Sequence, residues 1–261
     1  MIRICIYYKF SHEVILPILF YAYCNKLITG GTNVLQTSTG FVSPYKNMGQ
    51  GDPNSMTSKE FRNNEKFLRN EFEVEGKWGF PIIRKQDIDL ENIELIACSD
   101  ASKQDINNLY KGVHFFVDDY RFETTYSHPE RALERFGKYK FLLTPDFSLY
   151  AEMNQWRQIE SVGKARWVGA YWQKEGKLVI PTVSWGMTRS YEYCFDGIEK
   201  HCVVAVGMIG CKRNKSAFLR GYYQMMNKIE PEAILCLGEP FKEMDGNIVK
   251  VSYQESRKVV R

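Results

Sequence analysis

The chain has 261 residues, 44% hydrophobic and 25% charged, enough to bury a full core as one large domain or as one domain with an appendage. Its formal charge of +4 is localised: residues 1–70 carry 8 Lys/Arg against 4 Asp/Glu, and residues 71–261 carry 27 of each sign. The body is therefore neutral, which argues against a strongly basic nucleic-acid-binding domain. Seven cysteines, at positions 5, 24, 98, 194, 202, 211 and 236, form no CxxC and have no paired histidines nearby. They read as thiols of a reducing cytoplasm and give little support to a zinc or iron–sulfur centre.

In chain order, the apolar run Val14–Cys24 spans 11 residues. A membrane-spanning helix needs about 20 apolar residues, and the run lacks the charge pattern and cleavage site of a secretory signal. No integral membrane segment is expected. Residues 29–64 are rich in Gly, Ser, Thr, Asn and Pro, so residues 1–60 read as a poorly ordered extension and linker, and 61–261 as a single α/β domain. A short helix is expected over Phe61–Phe72 and a strand over Gly79–Ile83.

Dense apolar runs then alternate with segments of helical spacing. The runs are IELIAC (93–98), VHFFV (113–117), KFLL (140–143), LVIPTVS (178–184), VVAVGMI (203–209) and AILCL (233–237). Short β-branched runs without alternation are strands buried on both faces, and intervening helices make them parallel. Ser127 with Glu130 reads as a capping box opening a helix that stops at Gly137. Ser148 opens a second helical segment, running towards Trp172 with Met153, Trp156, Ile159 and Val162 on one face and a break near Gly163. Lys215–Ile229 is the clearest helix, stopped by Pro231. The expected architecture is α/β, a mostly parallel open sheet of six to seven strands with helices on both faces; an incomplete β/α barrel is the alternative.

The strings GKWGFPII, GVHFFVDDYRFE, FLLTPDFSLY, RWVGAYWQ, VIPTVSWG, CFDGI, VAVGMIGCKRNK and EPEAILCLGEPF occur in this order across roughly residues 65–253. Together they resemble an uncharacterised family of bacteria, phages and mobile elements, domain of unknown function 4417. The resemblance implies a domain extent and a genomic setting, and no chemistry.

The ends of parallel strands emerge on one edge, where such folds place their ligands. Four carboxylates follow strand runs: Asp118, Asp119, Asp146 and Glu239. Converging there, they could act as general acid and base, or hold Mg²⁺ or Mn²⁺ through Asp118 and Asp146. The plainer reading is turn capping. Gly210, Lys212, Arg213, Lys215 and Ser216 bring glycine, three cations and a helix start together and could bind phosphate, although the P-loop spacing is absent. The plainer reading here is a solvated cation cluster. Tyr120, Arg121 and Trp185 could stack on a planar ligand or close the end of the core. Cys211, beside Lys212 and Arg213, is the thiol whose surroundings could lower its pKa. The four histidines build no catalytic triad or HExxH.

Three functions fit: a metal-assisted enzyme acting on a nucleotide or nucleic acid, a non-catalytic binding module serving replication, transfer or host interaction, and a hydrolase or lyase on a neutral small molecule.

Overall fold

The computed structural model of the chain describes residues 57–259. The Val14–Cys24 run and nearly all of the expected extension lie outside the described residues. The first described elements are two short helices, α1 (Ser58–Arg62) and α2 (Glu65–Leu68), in place of one over Phe61–Phe72. A small antiparallel pair follows, β1 (Val74–Glu75) with β2 (Phe80–Pro81).

The body is α/β with parallel strands. Strands β3 (Leu95–Ala97), β4 (Gly112–His114), β5 (Phe141–Leu143) and β6 (Val179–Ile180) form one parallel sheet, paired Leu95 to Gly112, Gly112 to Phe141 and Leu142 to Val179. Strands β7 (Val204–Gly207), β8 (Ile234–Leu237) and β9 (Ile248–Val251) form a second, with Val204 opposite Ile234 and Ile234 opposite Ile248. The expected single sheet of six to seven strands is thus two. A lone parallel bridge from Thr182 to Ala205 connects them. The physical reason is Pro181, which follows β6 and has no N–H to continue a ladder. Its carbonyl still accepts from Ala205 N at 2.9 Å, and Val183 N donates to Ala205 O at 2.9 Å.

Strand order follows chain order through both sheets, without the reversal of a doubly wound sheet. Alternate residues separate into layers. Leu95, Phe141, Leu143, Ile180, Ala205 and Leu235, drawn from both sheets, share one cluster. Their neighbours Ile96, Val113, Leu142 and Val179 face the other way, where helix α5 (Gln155–Lys174) packs with Trp167, Val168 and Trp172. Likewise Val204, Val206, Ile234 and Cys236 pack against helix α6 (Lys215–Ile229) through Phe218, Tyr222 and Met225. The large helices therefore cover the outer face, and the inner faces of the two sheets cover each other. Gly207 shows the curl directly: a Cβ on this β7 residue would sit 2.8 Å from the ring of Phe116, which follows β4. Strands three places apart meet only where the sheet bends round.

Two helices differ from expectation in their details. Ser127 belongs to a short helix α3 (Thr124–Ser127) and donates to Thr124 O, so helix α4 (Pro129–Phe136) starts without a side-chain cap, although it ends at Gly137 as its sequence suggests. Helix α5 runs unbroken through Gly163, and its Trp156 is 64% exposed instead of facing the core. Buried residues elsewhere along α5 anchor it, and that packing outweighs the cost of one glycine, about 1 kcal/mol.

The segment after β9 completes the inner layer. His114, fully buried on β4, accepts from Phe116 N through Nδ1 at 3.2 Å, so its other nitrogen carries the proton and donates to Ser256 Oγ at 3.0 Å. Ser256 in turn donates to Tyr253 O at 2.8 Å. Burial pushes the His114 pKa down to about 3, with Arg257 adding to the effect. His114 is thus a hydrogen-bonded core residue.

Candidate functional site

The loops after β4, β5, β6 and β7 meet at the carboxyl edge. After β5, Thr144 extends the pairing with two side-chain bonds: its Oγ1 accepts from Thr182 N at 2.8 Å, and its carbonyl accepts from Thr182 Oγ1 at 2.8 Å. This fixes the two chains as they leave the sheet, and sets Asp146 beside Ser184, whose hydroxyl bonds the carboxyl. Burial, with the negative charge of Asp119 nearby, raises the Asp146 pKa to about 7 despite the Ser184 bond. The carboxyl therefore changes charge near neutrality. A cavity of about 10 Å³ lies against it, lined also by Ser161, Arg166, Thr182 and Cys194, with room for about one water.

Asp119 reaches this place from the β4 loop. It accepts from Ser148 N at 3.0 Å and from Ser148 Oγ at 2.7 Å, so much of its hydrogen-bonding capacity holds the two loops together. Ser148 O accepts from Ser161 Oγ at 2.9 Å, tying the same loop to α5. Asp118 points elsewhere: it is exposed, 3.9 Å from Arg121. Thus Asp119, rather than Asp118, is the carboxylate that acts on Asp146. Among the described residues no group of three or more His, Cys, Asp or Glu side chains converges as a metal cage.

The β7 loop turns at Gly210, φ +77°, and enters a 3₁₀ turn, Cys211–Asn214, ahead of α6. Cys211 feels the charge of Asp146, and burial first, then that charge, pushes its thiol up to about 11. The expectation of a lowered pKa beside Lys212 and Arg213 is overturned, because both cations point into solvent while the sulfur is half-buried. Lys212 and Arg213 make no hydrogen bond or ion pair with a described residue. Lys215 does, donating to Glu243 Oε1 at 2.7 Å, and Ser216 is exposed on the first turn of α6. Glu239 is exposed and ion-paired with Lys250.

The three stacking candidates part company. Trp185 is half-buried: its indole occupies the space a Cβ on Gly221 would need, and its ring lies 4.9 Å from that of Phe218. Tyr120 is 74% exposed, with the Arg121 guanidinium 5.2 Å from its ring. The sequence reading missed three participants. Ser184 reads as a strand end and Ser148 as the start of a helical segment, although that helix begins only at Gln155, and nothing local marks a serine that bonds across loops. Tyr150 stands 60% exposed, its hydroxyl 3.0 Å from Ser148 Oγ.

The edge thus offers a carboxyl that gains or loses a proton near pH 7, hydroxyls around it, and two exposed cations on the adjoining loop that pair with none of the described residues. Among the described residues no helix is long and apolar enough to cross a membrane. No solved structure matches the chain. It is similar to the "Gene 1 protein" of Mycobacterium phage L5, 42% identical over 130 residues, which are 49% of this chain and 57% of that protein. It is also similar to the "Gene 1 protein" of Mycobacterium phage D29, 40% identical over 129 residues, 48% of each chain. The chain spans about half the length of these curated relatives. A family model described as "Domain of unknown function (DUF4417)" matches residues 72–254, and the chain belongs to that family.

Proposed function

We propose that the carboxyl edge binds a phosphate-bearing ligand, a nucleotide or nucleic acid, and that Asp146 transfers a proton to or from it. One observation carries the reading: a carboxyl with its pKa raised to about 7 stands next to a loop whose exposed Lys212 and Arg213 have no side-chain partner among the described residues. A group half-protonated near neutrality can either donate to a leaving oxygen or accept from an attacking water. Cations without internal partners are free to hold an anion. Mg²⁺ or Mn²⁺ enters the proposal as an ion carried by the ligand's phosphates, with Asp119 available as a carboxylate ligand and water supplying the rest, which leaves Asp146 free to exchange its proton. The cavity beside Asp146 holds about one water, so the ligand lies over the carboxyl in the open; this counts against the reading as a hydrolase or lyase of a small neutral molecule.

Calorimetry of the full chain with a nucleoside diphosphate, with and without Mg²⁺, tests the reading. The double replacement Lys212→Ala and Arg213→Ala should weaken binding at least tenfold. Asp146→Asn should leave binding largely intact and remove turnover of phosphate esters. A protein that binds nucleotide and turns over no phosphate ester is the non-catalytic module instead. The capping of Ser148 by Asp119 favours that second reading, since it commits one carboxylate to structure. A protein that binds no phosphate compound defeats both.

A further inference from the structure

Five large exposed apolar side chains lie on the segments that follow strands β4 to β7. Tyr120 (74% exposed) follows β4; Tyr150 (60%) and Trp156 (64%) follow β5; Met187 (54%) follows β6 and Ile209 (57%) follows β7. Hydrogen bonds join the first two of these segments, Asp119 to Ser148, and brace the second, with the Tyr150 hydroxyl at Ser148 Oγ and Ser148 O accepting from Ser161 of α5. Nothing in the core explains why three aromatic rings stand in water, two in the segments after β4 and β5 and the third, Trp156, in the first turn of α5, since each would gain by burial.

The rings come with cations. The Arg121 guanidinium lies 5.2 Å from the Tyr120 ring, and that of Arg157 lies 5.6 Å from the Trp156 ring. Arg189, beside Met187, is exposed and, like Lys212 and Arg213, bonds no described residue. Aromatic faces alternating with cations form the surface on which unpaired bases stack while their phosphates are neutralised. A duplex hides its base faces and would leave the rings unused. We infer that the ligand of this edge is a single-stranded nucleic acid, its bases stacked on Tyr120, Tyr150 and Trp156 and its phosphates held by Arg189, Lys212 and Arg213. The inference rests on the phosphate-binding reading above and narrows it from any phosphate compound to a strand.

The test is a fluorescence titration of the full chain with single strands of about 12 nucleotides, a length in the range of known single-strand sites, beside the matching duplex and a mononucleotide. Trp156 fluorescence should be quenched by the strand. Affinity should fall as salt rises and should exceed that for the duplex. Tyr120→Ala, Tyr150→Ala and Trp156→Ala should each weaken the strand roughly 5- to 100-fold, and Trp156→Phe should restore most of it. All are exposed positions, so unchanged Tm values keep the comparison free of folding effects. If the mononucleotide binds and the strand binds no better, or the ring variants bind like the parent, the strand inference falls and the phosphate reading stands. If neither binds, both fall. Self-association by light scattering, abolished by Trp156→Ala with no strand binding, assigns the rim to protein contact and overturns the inference.

Discussion

Two titratable side chains at the carboxyl side of the first sheet are pushed towards neutrality by burial, and they end differently. His114, just inside the sheet, has both ring nitrogens matched, one to Phe116 N and one to Ser256 Oγ, and lies wholly in the core. Asp146, just past the end of β5, has Ser184 for a partner, a second carboxylate nearby and a small cavity at its side. The first is a buried polar group with every demand met, which stabilises a unique packing. The second keeps a charge it would shed at slightly lower pH, as groups poised for proton transfer do. Burial alone therefore does not mark a site. Incomplete satisfaction beside open space does.

The largest expected effect comes from removing the satisfied group. His114→Ala would leave the Phe116 N–H unpaired, take from Ser256 Oγ the bond it accepts and leave a cavity in the inner layer, at a cost of about 3–5 kcal/mol; urea unfolding followed by circular dichroism measures it. A loss under about 1 kcal/mol would erase the contrast. Removing the poised group should act in the opposite direction. The Asp146 pKa rises from 3.8 to about 7 on folding. The folded chain thus holds a proton that the unfolded chain releases, and the cost grows as pH rises from the lower value through the upper. Asp146→Asn should then stabilise the protein by about 1–3 kcal/mol at pH 8, after discounting for partial exposure, and by little at pH 4. The same unfolding experiment at the two pH values reads it.

His114 gives the mirror image. Its pKa falls from 6.5 to about 3 on folding, so stability is lost as pH drops through that interval, where only the unfolded chain takes up the proton. The parent protein should weaken steeply with acid below pH 6.5, and a His114→Gln variant that still folds should show a shallower slope. The smallest effect sharpens the Asp146 side: Asp119→Asn removes the neighbouring charge and should move the Asp146 titration downwards, as followed by carboxyl-carbon NMR. No movement would mean that burial acts alone.

The strands that were legible in the sequence are those buried on both faces, because continuous apolar runs such as those around Leu142 and Leu235 have few other uses. Strand β9 escaped notice because it is only half-covered: Lys250 is exposed and Val251 alone is buried. The split after β6 was written in Pro181, but its consequence depends on which strand comes alongside. The curl was not legible, since it rests on Phe116 meeting Gly207 across ninety-odd residues of chain. At the site, Asp146 stood out as a strand-end carboxylate. Its partner Ser184 did not, and sequence leaves Trp185 and Tyr120 the same two roles, because the room that Gly221 makes for the Trp185 indole is a tertiary contact. Side chains that meet through tertiary contacts leave no local trace.

The bond between His114 and Ser256 joins positions 142 residues apart. On the ribosome, β4 is made long before its partner exists, and at about 5–20 residues per second the gap lasts roughly 7–30 seconds. Throughout that time the Nε2–H of the imidazole can be satisfied only by water, which keeps the inner layer wet and its neighbouring strands exposed. The fold therefore closes late, from its far end, and a nascent chain of this family should lean on chaperones until the turn around Ser256 has emerged.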